Sequence, residues 1–205
     1  MVVENIVVNE AAERRHSLFK EELEHIKNDD VRNLAKELLN RLPEYFFTVP
    51  ASSTGKYHPS YCTGTGGLVR HTKATIRIAV DLLRLEMYTN IAGNSDAIIL
   101  ALLLHDGWKH GKLEEDGSVS TYSKADHARI CSDWLKQQTD ICNKEYLDLI
   151  ANLILTHMGQ WNMNNYTGDI FAPKPQTPSQ CFVHLCDYLA SRKSLEVNFN
   201  APFGI

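Results

Sequence analysis

The chain has 205 residues, of which 43% are hydrophobic and 22% are charged, a composition typical of a soluble globular domain rather than a disordered or fibrous protein. Its formal net charge of −4 gives no overall attraction to an anionic membrane or to long duplex nucleic acid, neither of which we expect as a partner. The chain starts without a basic stretch followed by an apolar one, and no apolar run approaches a membrane span. Five cysteines without a C-x-x-C pair argue against a disulfide framework or a zinc ribbon. We therefore expect a cytoplasmic protein.

Helical apolar spacing begins in the N-terminal part of the chain. Residues 10–27 carry a single apolar stripe, which predicts one amphipathic helix. A second predicted helix starts at Asp29 or Asp30, either of which can cap it, and stops at Pro43. Residues 43–67 are rich in Pro, Ser, Thr and Gly, and such a long irregular segment in a compact domain is usually functional or disordered.

The central part of the chain predicts two further helices. Apolar residues recur at helical spacing over residues 68–83. The next helix, capped by Ser95 or Asp96, is apolar on every side, so we predict that it lies at the centre of the fold. It runs directly into the dipeptide His105-Asp106.

The C-terminal part of the chain predicts helices over residues 124–138 and 144–157. The sequence from Thr177 to Gln180 is typical of a capping box with Pro at the first helical position, and it opens a helix that continues to Arg192. No segment alternates at period two, and there is no internal repeat. We therefore predict an all-α fold, a compact single-domain helical bundle over residues 1–205, whose aromatic C-terminal tail permits a homodimer.

Four histidines and two aspartates lie on the predicted buried faces of these helices or at their ends. An unpaired buried carboxylate is costly, and imidazole and carboxylate are the ligands that borderline divalent metals prefer. A lone inward histidine is more often a hydrogen-bonded core residue, but six such groups together predict a shared centre for one or two divalent ions. Four histidines favour Mn, Fe, Co, Ni or Zn over Mg alone. The predicted metal ligands are His71, His105, Asp106, His127, His157 and Asp187.

Three segments resemble the HD-domain superfamily, whose members carry a His, an adjacent His-Asp dyad and a later Asp on an all-helical scaffold. Residues 66–72 (GGLVRHT) resemble the segment that bears the first His, residues 102–109 (LLLHDGWK) the dyad, and residues 185–191 (LCDYLAS) the final Asp segment. The resemblance spans about residues 57–192. With His58 upstream, it is closest to the HD domain of bacterial 3′-to-5′ exoribonucleases and their stand-alone relatives.

This resemblance implies a helical bundle of the HD-domain type and divides the predicted ligands between two ions. The first ion would be held by His71, His105, Asp106 and Asp187. The additional histidines, His127 and His157 in this chain, would hold the second ion, with Asp106 bridging the two.

The resemblance also implies a metal-dependent phosphohydrolase or phosphodiesterase that acts on a nucleotide or a short oligonucleotide through metal-activated water. A bound divalent ion can lower the pKa of water from about 15.7 to about 7. Asp106 and Lys109 are the predicted catalytic residues, and Lys109 would contact a phosphate group or position the water. Trp161 follows His157 in an irregular loop, where its ring would either stack on a base or simply anchor a surface loop. The candidate substrate contacts are Lys56, His58, Arg70, Lys73, Trp161 and Arg192.

Two other functions are compatible with the same ligand order. Some HD-domain proteins are di-iron oxygenases, and nitrogen-rich sites suit iron as well as manganese. The chain would alternatively be a non-catalytic metal-bound module that senses nucleotides, in which case its coordination shell would be closed.

Overall fold

A computed structural model of the protein describes residues 2–52, 55–56, 58–111, 126–164 and 167–204. Within these ranges there is no β-strand, and Met163 and Ile170 form an isolated antiparallel bridge. The prediction of an all-α protein is therefore confirmed. The described helices are α1 (Val2–Leu18), α2 (Lys20–Leu23), α3 (Asp29–Arg41), α4 (Gly67–Leu82), α5 (Ser95–Leu104), α6 (His127–Lys136), α7 (Lys144–Leu155) and α8 (Pro178–Ala190).

Helix α5 forms the centre of the bundle, as its uniformly apolar sequence predicts. Every residue from Ala97 to Leu104 is buried, and α5 packs against α3, α4, α7 and α8. Burying a leucine side chain contributes about 1.5–3 kcal/mol, so this helix is a main source of stability. Helices α4 and α8 also pack against each other, and α6 packs against α7. The Cys131 thiol of α6 also donates to the Leu104 carbonyl oxygen, so the C-terminal end of α5 meets residues from α4, α6, α7 and α8.

The apolar stripe of residues 10–27 belongs to two helices rather than to the single helix that we predicted. The chain leaves helical geometry at Phe19, which has φ −116° and ψ 20°. Phe19 is fully buried and stacks on Phe46, with ring centroids 6.2 Å apart. The apolar residues Phe19, Leu23 and Ile26 of this stripe are buried, but a periodic pattern does not reveal a break when apolar residues continue on both sides of it.

Two predicted helix caps are wrong by one or two residues. The side chain of Asn28, rather than an aspartate after it, caps α3 by accepting hydrogen bonds from the backbone N–H groups of residues 30 and 31. Asp96 does not cap α5. Its carboxylate accepts hydrogen bonds of 2.9 Å from the backbone N–H groups of Lys27 and Asn28, so it connects α5 to the start of α3. Neighbouring polar residues are all good caps, and tertiary contacts decide between them.

The capping box that opens α8 is confirmed. The Thr177 hydroxyl accepts a hydrogen bond from the backbone N–H of Gln180, whose side chain in turn accepts one from the backbone N–H of Thr177. Helix α6 begins at His127, and the predicted residues 124 and 125 lie outside the described residues. No helix among the described residues has both the length and the apolar character needed to cross a bilayer.

Candidate metal centre

Four of the predicted ligands come together where α4 and α8 meet the end of α5. His71 lies on α4, Asp187 lies on α8, and His105 and Asp106 follow the last residue of α5. His71 Nε2 lies 3.0 Å from Asp187 Oδ1 and 3.7 Å from Asp106 Oδ2. His105 Nε2 lies 3.6 Å and 3.5 Å from the same two oxygens. Two imidazole nitrogens thus face oxygens of both carboxylates.

The other two histidines meet the opposite oxygen of Asp106. His127 is the first residue of α6, and His157 follows the end of α7. Their Nε2 atoms lie 3.2 Å and 3.6 Å from Asp106 Oδ1 and 3.1 Å from each other. The two oxygens of Asp106 therefore face two different pairs of histidine nitrogens.

Backbone carbonyl groups orient two of these imidazole rings. The Nδ1 atom of His105 lies 2.7 Å from the Leu102 carbonyl oxygen, and that of His157 lies 2.7 Å from the Ile154 carbonyl oxygen. A carbonyl oxygen only accepts, so Nδ1 must donate and therefore carries the proton. In the neutral form of each ring, the Nε2 atom then has a lone pair that points into the centre, and this is the tautomer that binds a metal.

Unsatisfied buried atoms of His105 and Asp106 fit a cation at this centre. Within the described part of the chain, His105 Nε2 is buried and has no hydrogen-bond partner, which costs about 1–3 kcal/mol for a buried polar atom. Asp106 Oδ2 is also buried and accepts no hydrogen bond of suitable direction, although Lys109 Nζ lies 3.0 Å away. A metal ion between these atoms would satisfy both. His71, His105 and Asp187, and separately His105, Asp106 and His157, are spaced closely enough to hold an ion.

The two carboxyl groups are ionised in the folded protein. Burial acts to raise the pKa of Asp106, but the Lys109 ammonium group and His105 outweigh it and hold that pKa well below its usual range. Burial acts in the same direction on Asp187, and the neighbouring imidazole groups of His105 and His71 hold its pKa well below its usual range as well. Carboxylates in this form are metal ligands.

His157 is neutral at physiological pH. Burial lowers its pKa to about 4, although the neighbouring Asp106 carboxylate acts to raise it. A neutral imidazole is the form that binds a metal. The electrostatics of His157 and of the two carboxylates therefore agree with the hydrogen bonds that orient the rings.

An open cavity of about 460 Å³ gives access to this centre. Five of the six predicted ligands line it, whereas His105 is fully buried behind them. Lys109, His58, Trp161 and Arg192 also face the cavity. The structure therefore brings Lys109 and half of the six candidate substrate contacts to the centre. The described lining consists of Ala51, His58, His71, Asp106, Lys109, His127, His157, Met158, Trp161, Asp187, Ser191 and Arg192.

The remaining candidate substrate contacts, Lys56, Arg70 and Lys73, are not among the described residues that line the cavity. The Arg70 guanidinium group donates to the backbone carbonyl groups of residues 61, 63 and 65, so it holds the loop before α4. Lys73 Nζ lies 3.5 Å from Glu22 Oε2 on another face of α4. Both residues are close to His71 in sequence but point away from it.

Tyr188 contacts the cavity-lining residues but was missed by the sequence analysis. It stacks on Trp161 and lies under the Arg192 guanidinium group. The spacing of His184, Tyr188 and Arg192, four residues apart, was an available signal, because residues four apart share a helix face. His184 Nδ1 lies 2.7 Å from the His157 carbonyl oxygen and donates to it.

A comparison with protein-family models identifies one match, to the model described as "HD domain", over residues 68–192. This match spans more than half of the chain and includes all six predicted ligands. No curated protein and no solved structure matches the chain significantly.

Proposed function

The chain belongs to the HD-domain family, whose members are generally phosphohydrolases that bind divalent metals, and we propose that it is a metal-dependent phosphohydrolase acting on a nucleotide or a short oligonucleotide. The observation that carries this proposal is the arrangement around Asp106, whose two oxygens face two pairs of histidine nitrogens on an open cavity.

The donor set divides naturally between two ions. His71, His105 and Asp187, with Asp106 Oδ2, would hold the first ion, and His127 and His157, with Asp106 Oδ1, would hold the second. Four imidazole nitrogens favour Mn, Fe, Co, Ni or Zn. Such ions lower the pKa of bound water to about 7 and offset the negative charge that develops on a phosphoryl group.

Lys109 supplies a cation that is fixed next to this centre. Its Nζ lies 3.0 Å from both oxygens of Asp106, while the side chain remains 29% exposed and faces the cavity. The Asp106 carboxylate raises the pKa of Lys109 against the opposing effect of burial, so the amine stays charged. In the proposed reaction, Lys109 holds a phosphoryl oxygen, and Asp106 keeps the ammonium group in place.

The charge of the cavity supports a polyanionic substrate once metal is bound. The carboxylates of Asp106 and Asp187 face the cationic groups of Lys109 and Arg192 across the described lining, so these groups nearly balance without metal. One or two divalent ions make the cavity strongly positive, which favours a phosphate group.

Two features favour a hydrolase over the alternatives. Five of the six predicted ligands line an open cavity, whereas a purely structural metal site has a closed coordination shell. Two cations that line the cavity, Lys109 and Arg192, suit the negative charge of a phosphate ester. A cavity of about 460 Å³ is in the usual range for small ligands, so the substrate is a small molecule or the end of a short chain.

The proposal is tested by measuring metal content together with hydrolysis of bis(p-nitrophenyl) phosphate in Mn²⁺, in air and under nitrogen. We expect one or two ions per chain and turnover that does not require oxygen. The Asp106→Asn variant, which preserves size, should be folded and inactive. If the metal-loaded protein consumes oxygen and hydrolyses no phosphoester, the oxygenase alternative replaces this proposal. If metal is bound and neither activity is present, the non-catalytic alternative replaces it.

A further inference from the structure

A cluster of two aromatic rings and a guanidinium group lies at one side of the cavity. Trp161 and Tyr188 are nearly parallel, with an interplanar angle of 14° and ring centroids 5.7 Å apart. The Arg192 guanidinium carbon lies 4.5 Å from the Tyr188 centroid and 5.7 Å from that of Trp161. The Arg192 guanidinium group therefore lies beside both rings.

We propose that this cluster is a platform on which a nucleobase stacks, so that the substrate is a nucleoside phosphate with its base on Trp161 and its phosphate at the metal centre. This inference rests on the proposed function, because it assigns the substrate class of the same cavity. Any base has an aromatic face, so the platform selects nucleotides over sugar phosphates without selecting one base.

The exposure of Trp161 leaves room for a ligand on its ring. Trp161 keeps 43% of its surface exposed, although it contacts both Tyr188 and Arg192. Trp161 and Arg192 both line the cavity, but Tyr188 is not part of its described lining. Tyr188 therefore supports the other two groups from behind and leaves part of the indole ring accessible to a base.

The Nε–H group of Arg192 finds no hydrogen-bond acceptor in the described part of the chain. Arg192 Nη2 donates to the Ser191 hydroxyl at 3.0 Å, whereas its Nε is buried without a hydrogen-bond partner. An unsatisfied buried donor is unfavourable, and an oxygen of a bound nucleotide would satisfy it. Arg192 thus combines a planar surface for stacking with a donor for the edge of a base or for the sugar.

The platform is held in a fixed position relative to the metal centre. His184 donates to the His157 carbonyl oxygen, and its ring centroid lies 6.0 Å from that of Trp161. The turn that joins His157 to Trp161 packs so closely on His184 that a Cβ atom on Gly159 would lie 2.1 Å from this ring. One short turn therefore connects a predicted metal ligand to the stacking surface.

The test measures binding of adenosine 5′-monophosphate and ribose 5-phosphate to the full chain loaded with Mn²⁺, by competition with bis(p-nitrophenyl) phosphate and by tryptophan fluorescence. Wild type should bind the nucleotide more tightly, with quenching of Trp161. Trp161→Ala should weaken nucleotide binding about tenfold, or about 1.4 kcal/mol, and leave ribose 5-phosphate binding unchanged. Trp161→Phe should keep most of the affinity and lose the quenching.

The matched control is Met163→Ala, which truncates a side chain of similar exposure, 45%, on the same segment and outside the described lining of the cavity. It should leave both affinities unchanged. If Trp161→Ala lost the same affinity for both ligands, or lost affinity for neither, the proposed stacking platform would be wrong. Fluorescence requires no turnover, so quenching by the nucleotide without hydrolysis of any phosphoester would leave the platform standing and would reject the proposed hydrolase.

Discussion

Lys109 Nζ lies 3.0 Å from both carboxylate oxygens of Asp106, the same two oxygens that face the two groups of histidines. The lysine follows the aspartate by three residues, and the backbone N–H of Lys109 donates to the Asp106 carbonyl oxygen. A tight turn therefore places a cation beside the carboxylate at the centre of the predicted metal site, with its ammonium group facing the open cavity.

Lys109→Ala should lower kcat for phosphoester hydrolysis about 100-fold, because removing one fixed donor to a developing anion typically costs that much. Metal content should stay within a factor of two of wild type, since no predicted ligand is removed. Steady-state kinetics and elemental analysis on the same preparation check both statements. Lys109→Arg, which keeps the charge, should recover part of the rate. Unchanged kcat in Lys109→Ala would remove Lys109 from the mechanism.

Metal stoichiometry should differ between variants of the two groups of ligands. Because His157 faces only one oxygen of Asp106, His157→Ala should lose one equivalent of metal and keep the other. Asp106→Asn should weaken both equivalents, because each group uses one of its oxygens. Elemental analysis after dialysis measures this, with His110→Ala as the histidine control outside the predicted ligand set. Equal losses in His157→Ala and Asp106→Asn would contradict the division into two ion sites.

The helix faces of the metal centre could be predicted from the sequence, because helical spacing fixes which side of a helix is buried. His71 shares its buried face with Leu68, Thr72 and Thr75, as its spacing predicts. The same rule would have corrected the substrate contacts: Arg70 and Lys73 are one and two residues from His71, and each residue rotates the side chain by about 100°. Proximity in sequence to a ligand is therefore weak evidence for a shared site.

Other features of the site depend on contacts between distant parts of the chain. The stacking of Tyr188 on Trp161 joins α8 to the turn after α7, and no local pattern records which aromatic residues meet. The choice of Asn28 rather than its neighbours as the cap of α3 also depends on the fold, because the Asp96 carboxylate accepts hydrogen bonds from the backbone N–H groups of Lys27 and Asn28. The sequence therefore predicts buried faces better than it predicts their partners.

A buried ion pair far from the cavity provides a test of stability. Arg77 donates to Glu22 at 3.0 Å, and both side chains are almost completely buried. Glu22→Ala should lower the free energy of unfolding by about 3–5 kcal/mol, because it leaves the Arg77 charge buried with weaker compensation. Urea unfolding followed by circular dichroism measures this change.

The control for this prediction is Glu21→Ala, which removes another carboxylate paired with Arg77. The Glu21 side chain is 60% exposed, and exposed ion pairs contribute about 0–1 kcal/mol. A loss of similar size in both variants would show that burial does not determine the strength of these pairs.

Gly159 should be required for the geometry between the metal centre and the aromatic cluster. Its φ is +57°, and a Cβ atom there would lie 2.1–2.4 Å from three atoms of the His184 ring. Gly159→Ala must therefore displace His184, which donates to the His157 carbonyl oxygen.

Gly168→Ala is the matched control, because Gly168 has φ +78° and a Cβ atom added to it would meet no described atom within 4 Å. The control isolates the backbone strain, about 1–2 kcal/mol. We expect Gly159→Ala to cost clearly more stability in thermal unfolding and to lower phosphoester hydrolysis, whereas Gly168→Ala keeps its activity. If the two variants lose the same stability and both keep full activity, the contact between Gly159 and His184 does not position His157.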